Sequence, residues 1–236
     1  MKKVLIANRG EIAIRIARTC SDLGLRTIGI YSEDDANSLH LSKVDEAYKL
    51  EGKGAQAYLD IKEIVRIAKE SKADAIHPGY GFLSENALFA SSVKRAKIKF
   101  IGPNEKTLKI FGDKTSAKEL ASSLNIPVIA GTHERASIKQ AENFMKSLKK
   151  NSSVVIKAIS GGGGRGMRVV SKKDELKESF DRAASEAKAS FDSPDLYLEE
   201  YLKNYRHIEF QIIGDGVGAV SHLHERECSI QRRYQK

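Results

Sequence analysis

At 236 residues and 41% hydrophobic content, the chain can bury a sizeable core as one large domain or two modest ones. Charged residues make up 30% of it and cut every apolar run well short of the roughly 20 residues a bilayer-crossing helix needs, which excludes such a helix. The formal charge of +9 suits anionic partners such as nucleotides or nucleic acid and serves solubility equally well, but no recognisable nucleic-acid module accompanies it.

The opening Met1-Lys2-Lys3 and the apolar residues 4–7 resemble a signal peptide only superficially. Asn8-Arg9-Gly10-Glu11 ends the apolar stretch too early, so the expected compartment is the cytoplasm. Residues 4–7 read as a strand, Ile12, Ile16 and Leu23 recur at helical spacing up to Gly24, and residues 26–31 give a second strand. Strand, helix and strand in this order imply a right-handed parallel unit. Gly10 is the lone glycine of the first turn, which weighs against a dinucleotide fingerprint.

The alternation continues with a helix carrying Ile61, Ile64, Val65 and Ala68, a strand at 73–76, a helix at 84–93 and a strand at 100–101, closing a first domain near Gly112. Residues 113–124 read as a helix, and Asn125-Ile126-Pro127 opens a second unit. That unit holds a helix with Ile138, Ala141, Met145 and Leu148, strands at 154–159 and 167–170, and a helix with Leu176, Phe180, Ala183 and Ala187. Residues 196–202 and 207–213 are extended, with a turn at Gly214-Asp215-Gly216. The fold class is α/β, a parallel-sheet domain followed by a small α+β subdomain, and the last strands are expected to lack the sheet they would join.

The strongest chemical signal is Ser160-Gly161-Gly162-Gly163-Gly164-Arg165-Gly166 between two strands. Each glycine costs about 0.5 to 1 kcal/mol relative to alanine in ordered structure, and a plain hairpin turn needs only one or two. Successive bare N–H groups can instead hold phosphate oxygens. No Lys-Ser or Lys-Thr follows and a strand comes next, so this is not a P-loop but a lid that folds over its ligand. Lys157 interrupts Val154-Val155-Ile156 just before it, where a lysine wants an anionic partner, a phosphate for instance, or else snorkels to water.

Alternation places His207, Glu209 and Gln211 on one strand face, which either lines a cleft or is simply half exposed. Glu199-Glu200 could accept from a ligand amine or ribose, or be solvated surface. His222 and His224 share a face without a third metal ligand. Cys20 and Cys228 lie far apart and are expected as buried free thiols. The densest basic stretch, Lys94-Arg95-Ala96-Lys97-Ile98-Lys99, reads as a solvated face.

With those residues in view, the whole chain resembles the biotin carboxylases of the ATP-grasp group. The resemblance runs from Val4-Leu5-Ile6-Ala7-Asn8-Arg9-Gly10-Glu11-Ile12-Ala13 through His77-Pro78-Gly79-Tyr80-Gly81-Phe82-Leu83-Ser84-Glu85-Asn86, Ile101-Gly102-Pro103, Gly112-Asp113-Lys114 and the glycine lid. It continues in Arg206-His207-Ile208-Glu209 and Glu225-Arg226-Glu227-Cys228-Ser229-Ile230-Gln231-Arg232-Arg233. It implies an N-terminal Rossmann-like, pre-ATP-grasp domain over 1–112, a linker helix and ATP-grasp lid subdomain over 113–202, and the start of a truncated central ATP-grasp sheet over 203–236.

By the same resemblance, Lys114, Lys157, His207 and the backbone of Gly161, Gly162, Gly163, Gly164 and Gly166 would contact ATP phosphates. Glu199, Glu200, Tyr201 and Leu202 would form the adenine strip, Gln231 would touch the nucleotide with Tyr234 as its neighbour, and Lys236 would help hold bicarbonate. Tyr234 stands where the family usually has histidine, and Ser160 where it commonly has glycine. The implied reaction is attack of bicarbonate on the γ-phosphate of ATP, giving carboxyphosphate, whose carbon passes to carrier-bound biotin. Mg2+, or Mn2+, would be held by residues beyond 236, leaving no catalytic residue within the chain and at best weak nucleotide binding by it alone. Implied partners are a biotin carboxyl carrier protein or domain, a carboxyltransferase component and a second copy in a homodimer, with no nucleic acid and no membrane. The rival readings are another ATP-grasp ligase forming an acyl phosphate and a basic non-catalytic nucleotide- or nucleic-acid-binding module.

Overall fold

Strand β1 (Lys3–Ile6) is apolar on both faces because it lies at the centre of a sheet covered on both sides. Leu5 faces one core cluster with Ile28, Ile64, Ile76 and Phe89, while Val4 and Ile6 face another with Ile16, Ala17 and Cys20. Helix α1 (Gly10–Asp22) follows, and β2 (Arg26–Tyr31) returns parallel to β1 with Lys3 opposite Arg26. The unit is completed by β3 (Glu46–Lys49), α2 (Gly54–Ala57), α3 (Ile61–Glu70), β4 (Ala75–His77), α4 (Ala87–Arg95), β5 (Lys99–Phe100) and α5 (Glu105–Gly112). The sheet order is β3-β2-β1-β4-β5, all parallel, so the winding direction reverses between β1 and β4. Asp60, Asn86 and Asn104 cap α3, α4 and α5 by accepting from the backbone N–H three residues on.

In this computed structural model the described residues are 1–132, 135–149, 152–159, 167–203 and 205–230, without the side chains of Lys114 and Phe191. The chain divides into two compact units, Met1–Leu120 and Ala121–Lys236, with α6 (Lys114–Ser123) crossing the division. Among the described residues no helix is long and apolar enough to cross a membrane.

In the second unit, α7 (Ile138–Ser147) starts with a capping box between Ser137 and Gln140. Strands β6 (Ser153–Ala158), β7 (Arg168–Val170) and β8 (Leu196–Tyr201) form an antiparallel sheet of order β7-β6-β8, backed by α8 (Leu176–Phe191). Val154, Ile156, Ala158, Leu196 and Leu198 point into its core with Ala183 and Ala187. The remaining strands, β9 (Ile208–Gly214) and β10 (Val220–Glu227), pair as an antiparallel ribbon with a bulge between His222 and Glu225. Its turn is closed by Asp215, whose carboxylate accepts from the N–H groups of Val217, Gly218 and Ala219.

Three expectations change. Helix α4 begins at Ala87 rather than 84, because residues 79–86 form turns in which Gly79, Gly81 and Phe82 are left-handed. Cys20 is buried, but Cys228 follows the exposed ribbon and is only half-buried. The alternation of residues 207–213 does not divide a wet face from a covered one: Phe210, Ile212 and Ile213 are exposed alongside Gln211.

Candidate functional site

The sheet of the second unit has one face in the core, so alternation sends Val155 and Lys157 of β6, Val169 of β7, and Glu199 and Tyr201 of β8 to the other. Register puts Val155 opposite Glu199 and Lys157 opposite Tyr197. The long side chains of Lys157 and Glu199 therefore meet across the diagonal, where the ammonium donates to the Glu199 carboxylate. Glu199 is only 8% exposed. Nearby Tyr197 has its phenol pushed up to about 12, first by burial and then by the Glu199 charge.

These residues line a cavity of about 310 Å³ with Ile129, Met167, Glu200, Leu202 and Tyr205. Its walls are mostly apolar, with Lys157, Glu199 and Glu200 as the charged side chains and Tyr201 and Tyr205 beside them, an arrangement that suits a flat heteroaromatic ring carrying both donors and acceptors. The carboxylate can accept from an exocyclic amine, and the ammonium can donate to a ring nitrogen. One wall is held in place by backbone: Thr132 N–H donates to Leu198 O at 2.9 Å and Glu200 N–H to Ala130 O at 2.8 Å. Between them Gly131 bridges Glu199, and a Cβ there would sit 2.6 Å from Leu198 O, so a side chain is excluded.

The structure thus brings together Lys157, Glu199, Glu200, Tyr201 and Leu202. Lys157 has an anionic partner within the chain, Glu199, and Glu199 is buried rather than solvated. His207 does not line the cavity. It is half-buried at the start of the ribbon, where its N–H donates to Ser229 Oγ at 2.8 Å and its carbonyl accepts from Cys228 N–H at 2.7 Å. Lys114 is the first residue of α6, its side chain outside the described set. Gly161, Gly162, Gly163, Gly164, Gly166, Gln231, Tyr234 and Lys236 lie outside the described residues, although Met167, which follows the glycines, lines the cavity. Sequence reasoning missed Ile129, Gly131, Val155, Met167, Val169 and Tyr205 as wall residues; alternation from Lys157 could have found Val155, while nothing local marks the others.

The first unit holds a second concavity, about 440 Å³, at the reversal between β1 and β4. Asn8, 3% exposed, donates through Nδ2 to the carbonyls of Pro78 and Tyr80, both at 2.8 Å, and so pins that turn to the end of β1. Arg9 pairs with Asp35 at 3.0 Å and lies over the Tyr58 and Phe82 rings. Burial pushes the Asp35 carboxyl up, but hydrogen bonds from Tyr58, Arg9, Ser32 and Ser38 outweigh it and hold the group at about 2. Tyr58 is raised to about 12, chiefly by burial and then by its bond to Asp35. Burial lowers His77, whose Nδ1 accepts from Gly79 N–H at 3.0 Å.

Comparison with known proteins matches two successive stretches of the chain. Residues 1–108 match the biotin carboxylase N-terminal domain, and residues 113–236 match the carbamoyl-phosphate synthase L chain ATP binding domain. The chain belongs to the biotin carboxylases. It is 52% identical to pyruvate carboxylase of Bacillus subtilis over 240 residues, spanning 100% of this chain and 21% of that protein. Against human mitochondrial pyruvate carboxylase the identity is 49%, with 100% and 20% covered. Among solved biotin carboxylases, the biotin carboxylase domain dimer of Hydrogenobacter thermophilus 2-oxoglutarate carboxylase, in complex with MgADP, ADP and bicarbonate, superposes with a TM-score of 0.90 at 44% identity, covering 100% of this chain and 52% of that one. The β,γ-ATP complex of the Campylobacter jejuni enzyme gives 0.91 at 43% identity, with 100% and 53% covered. The chain therefore spans about half of these solved chains and about a fifth of the full carboxylases.

Proposed function

We propose that the protein carboxylates biotin on a carrier protein or domain at the expense of ATP, with bicarbonate activated as carboxyphosphate, and that residues 1–236 supply its nucleotide-binding part. The observation that carries this reading is the cavity in which Lys157 and Glu199 face each other beside the 199–202 strip, next to the strand ends that flank the glycine-rich segment. Adenine enters this cavity along the 199–202 strip, its amine towards the Glu199 carboxylate. Leu202 and Val169 cover its faces, and residues 200–202 offer main-chain groups to its edge.

The phosphates then run past Lys157 towards Gly161, Gly162, Gly163, Gly164 and Gly166, with Lys114, His207, Gln231 and Tyr234 around them and Lys236 on bicarbonate. A bicarbonate oxygen attacks the γ-phosphorus, the bond to the β-phosphate oxygen breaks, and ADP leaves. The carbon of the resulting mixed anhydride is taken by a biotin ring nitrogen, which loses its proton as inorganic phosphate departs. The chain's part is positioning and charge neutralisation, with water kept from a labile anhydride. Mg2+, when bound, neutralises charge across the phosphate oxygens. Among the described residues no group of three His, Cys, Asp or Glu is arranged to hold a cation. The carrier, a carboxyltransferase component and a second copy of the chain are the proposed partners, and the cytoplasm the proposed compartment.

Calorimetric titration of the chain with ATP tests the reading. Saturable binding is expected, weakened by Lys157→Ala and by Glu199→Gln, and stronger for ATP than for GTP, whose ring carries an oxygen acceptor where adenine has an amine donor. Equal affinity for both nucleotides, or binding indifferent to both substitutions, would overturn the placing of the base.

A further inference from the structure

The nucleotide cavity leaves the densest basic run of the chain without a role. Lys94 and Arg95 end α4, Lys97 turns the backbone with a left-handed φ of 59°, and Lys99 lies in β5. Lys106 and Lys109 follow on α5, and all six cations are exposed. Glu105 is the one acid between residues 94 and 109, and its carboxylate is taken by Lys109 at 2.7 Å. Lys94, Lys97, Lys99 and Lys106 make no ion pair among the described residues.

Three of these lysines, Lys94, Lys99 and Lys106, border a groove of about 550 Å³ together with the Lys109-paired Glu105, and its apolar floor includes Ile98, Phe100 and Pro103. The groove runs along β5, the edge strand of the parallel sheet. Lys99 and Ile101 donate inward to Asp74 and Ile76 at 3.0 and 2.9 Å. Alternation then turns the amide and carbonyl of Phe100, between them, towards the open edge. The edge is preformed: the Phe100 ring packs edge-on against Phe89 at 5.8 Å between centroids, and Gly102 lies against it so closely that a Cβ would come within 2.7 Å.

We propose that this groove docks an extended acidic segment of a partner polypeptide, which adds to the open edge of β5 through the Phe100 main chain and sets its carboxylates against Lys94, Lys99 and Lys106. An open strand edge selects an extended peptide, and a rim of three unpaired cations selects acidic side chains. Single-stranded nucleic acid would want aromatic faces for stacking, whereas the aromatic ring that lines the groove is already engaged by Phe89 and Gly102.

The test is fluorescence anisotropy of the chain with a short labelled peptide of alternating Glu and Val, beside the same peptide with Lys for Glu and a labelled single-stranded oligonucleotide. Lys94→Glu and Lys106→Glu, both exposed and expected to fold, should each weaken the acidic peptide about tenfold as an attraction becomes a repulsion. Lys139→Glu on α7 changes the net charge equally and should leave binding within about twofold. Amide spectra of the complex should show Phe100 and its neighbours shifted. Absence of acidic-peptide binding, equal losses with Lys139→Glu, tighter binding of the oligonucleotide, or unshifted Phe100 amides would each overturn the proposal.

Discussion

Replacing Lys157 with methionine keeps most of the length of the side chain and removes the cation from beside the Glu199 carboxylate, which sits 8% exposed in a mostly apolar cavity. Breaking a fully buried pair costs about 3 to 5 kcal/mol. Here the Lys157 side chain is 27% accessible, so water already screens the pair and the expected cost is nearer 2 kcal/mol. Glu199→Gln should cost less, about 1 kcal/mol, because the ammonium can turn to water. The double variant removes both charges and should be less destabilised than the sum of the singles, with a coupling of about 1 to 2 kcal/mol. The chain has two units and no tryptophan, so neither a single melting temperature nor indole fluorescence isolates this site. Hydrogen exchange of segments from β6 and β8 does: Lys157→Met should speed it by about 30-fold, at roughly 1.4 kcal/mol per tenfold. Unchanged exchange in Lys157→Met, or strict additivity in the double variant, would refute the view that the two side chains stabilise each other.

Asp35 sets an acid limb for the first unit. Its carboxyl is held at about 2 against an ordinary 3.8, so the stabilisation is whole above about pH 4 and is lost as pH falls through the folded value. It amounts to roughly 2 kcal/mol, and Asp35→Asn should abolish that part of the acid sensitivity in urea titrations at about pH 6 and about pH 3. Gly131→Ala forces its Cβ towards Leu198 O and should destabilise the cavity wall by about 1 to 3 kcal/mol, read as faster exchange in β8 and weaker ATP binding. Asn8→Ala removes both donors to the Pro78 and Tyr80 carbonyls and should cost about 2 to 3 kcal/mol; chymotryptic cleavage near Tyr80 should accelerate, and wild-type resistance would argue against the pinned turn.

Where the sequence was legible, the residues were under one dominant constraint. Strands β1 and β6 each carry an apolar run, Val4-Leu5-Ile6 and Val154-Val155-Ile156, and β2 carries Ile28 and Ile30, because these positions are buried, and α3 shows its face through Ile64, Ile67 and Ala68. Strand β3 was not legible: Glu46-Ala47-Tyr48-Lys49 is half exposed, and its extended state comes from the open edge of β2, with Ile28 opposite Glu46. Helix α4 was read three residues too early because the apolar and polar residues of 84–86 fit helical spacing, while the Asn86 cap and the left-handed turns before it decide otherwise. In the cavity, Lys157 and Glu199 each stood out as a charge in a strand, yet their meeting depends on a register between residues 42 positions apart. Gly131 carries no local signature at all, since its need for a bare Cα arises from Leu198.

That pairing also bears on why the cavity reads as a ligand site and not as a structural one. Two apolar side chains of similar volume would leave the β6–β8 face at least as stable, because taking a lysine and a glutamate out of water costs about as much as their attraction returns. The core side of the same strands takes the cheaper solution throughout, with Val154, Ile156, Leu196 and Leu198. A charged pair on the opposite face, lined by Val155, Val169 and Ile129 and open to a space of about 310 Å³, is a local departure from stability, and such departures mark positions where the chain meets something outside itself. On the proposed reading, adenine would meet Glu199 and the apolar walls while the phosphates would meet Lys157, so the same two side chains that cost stability in the empty cavity would gain ligand contacts once it is filled.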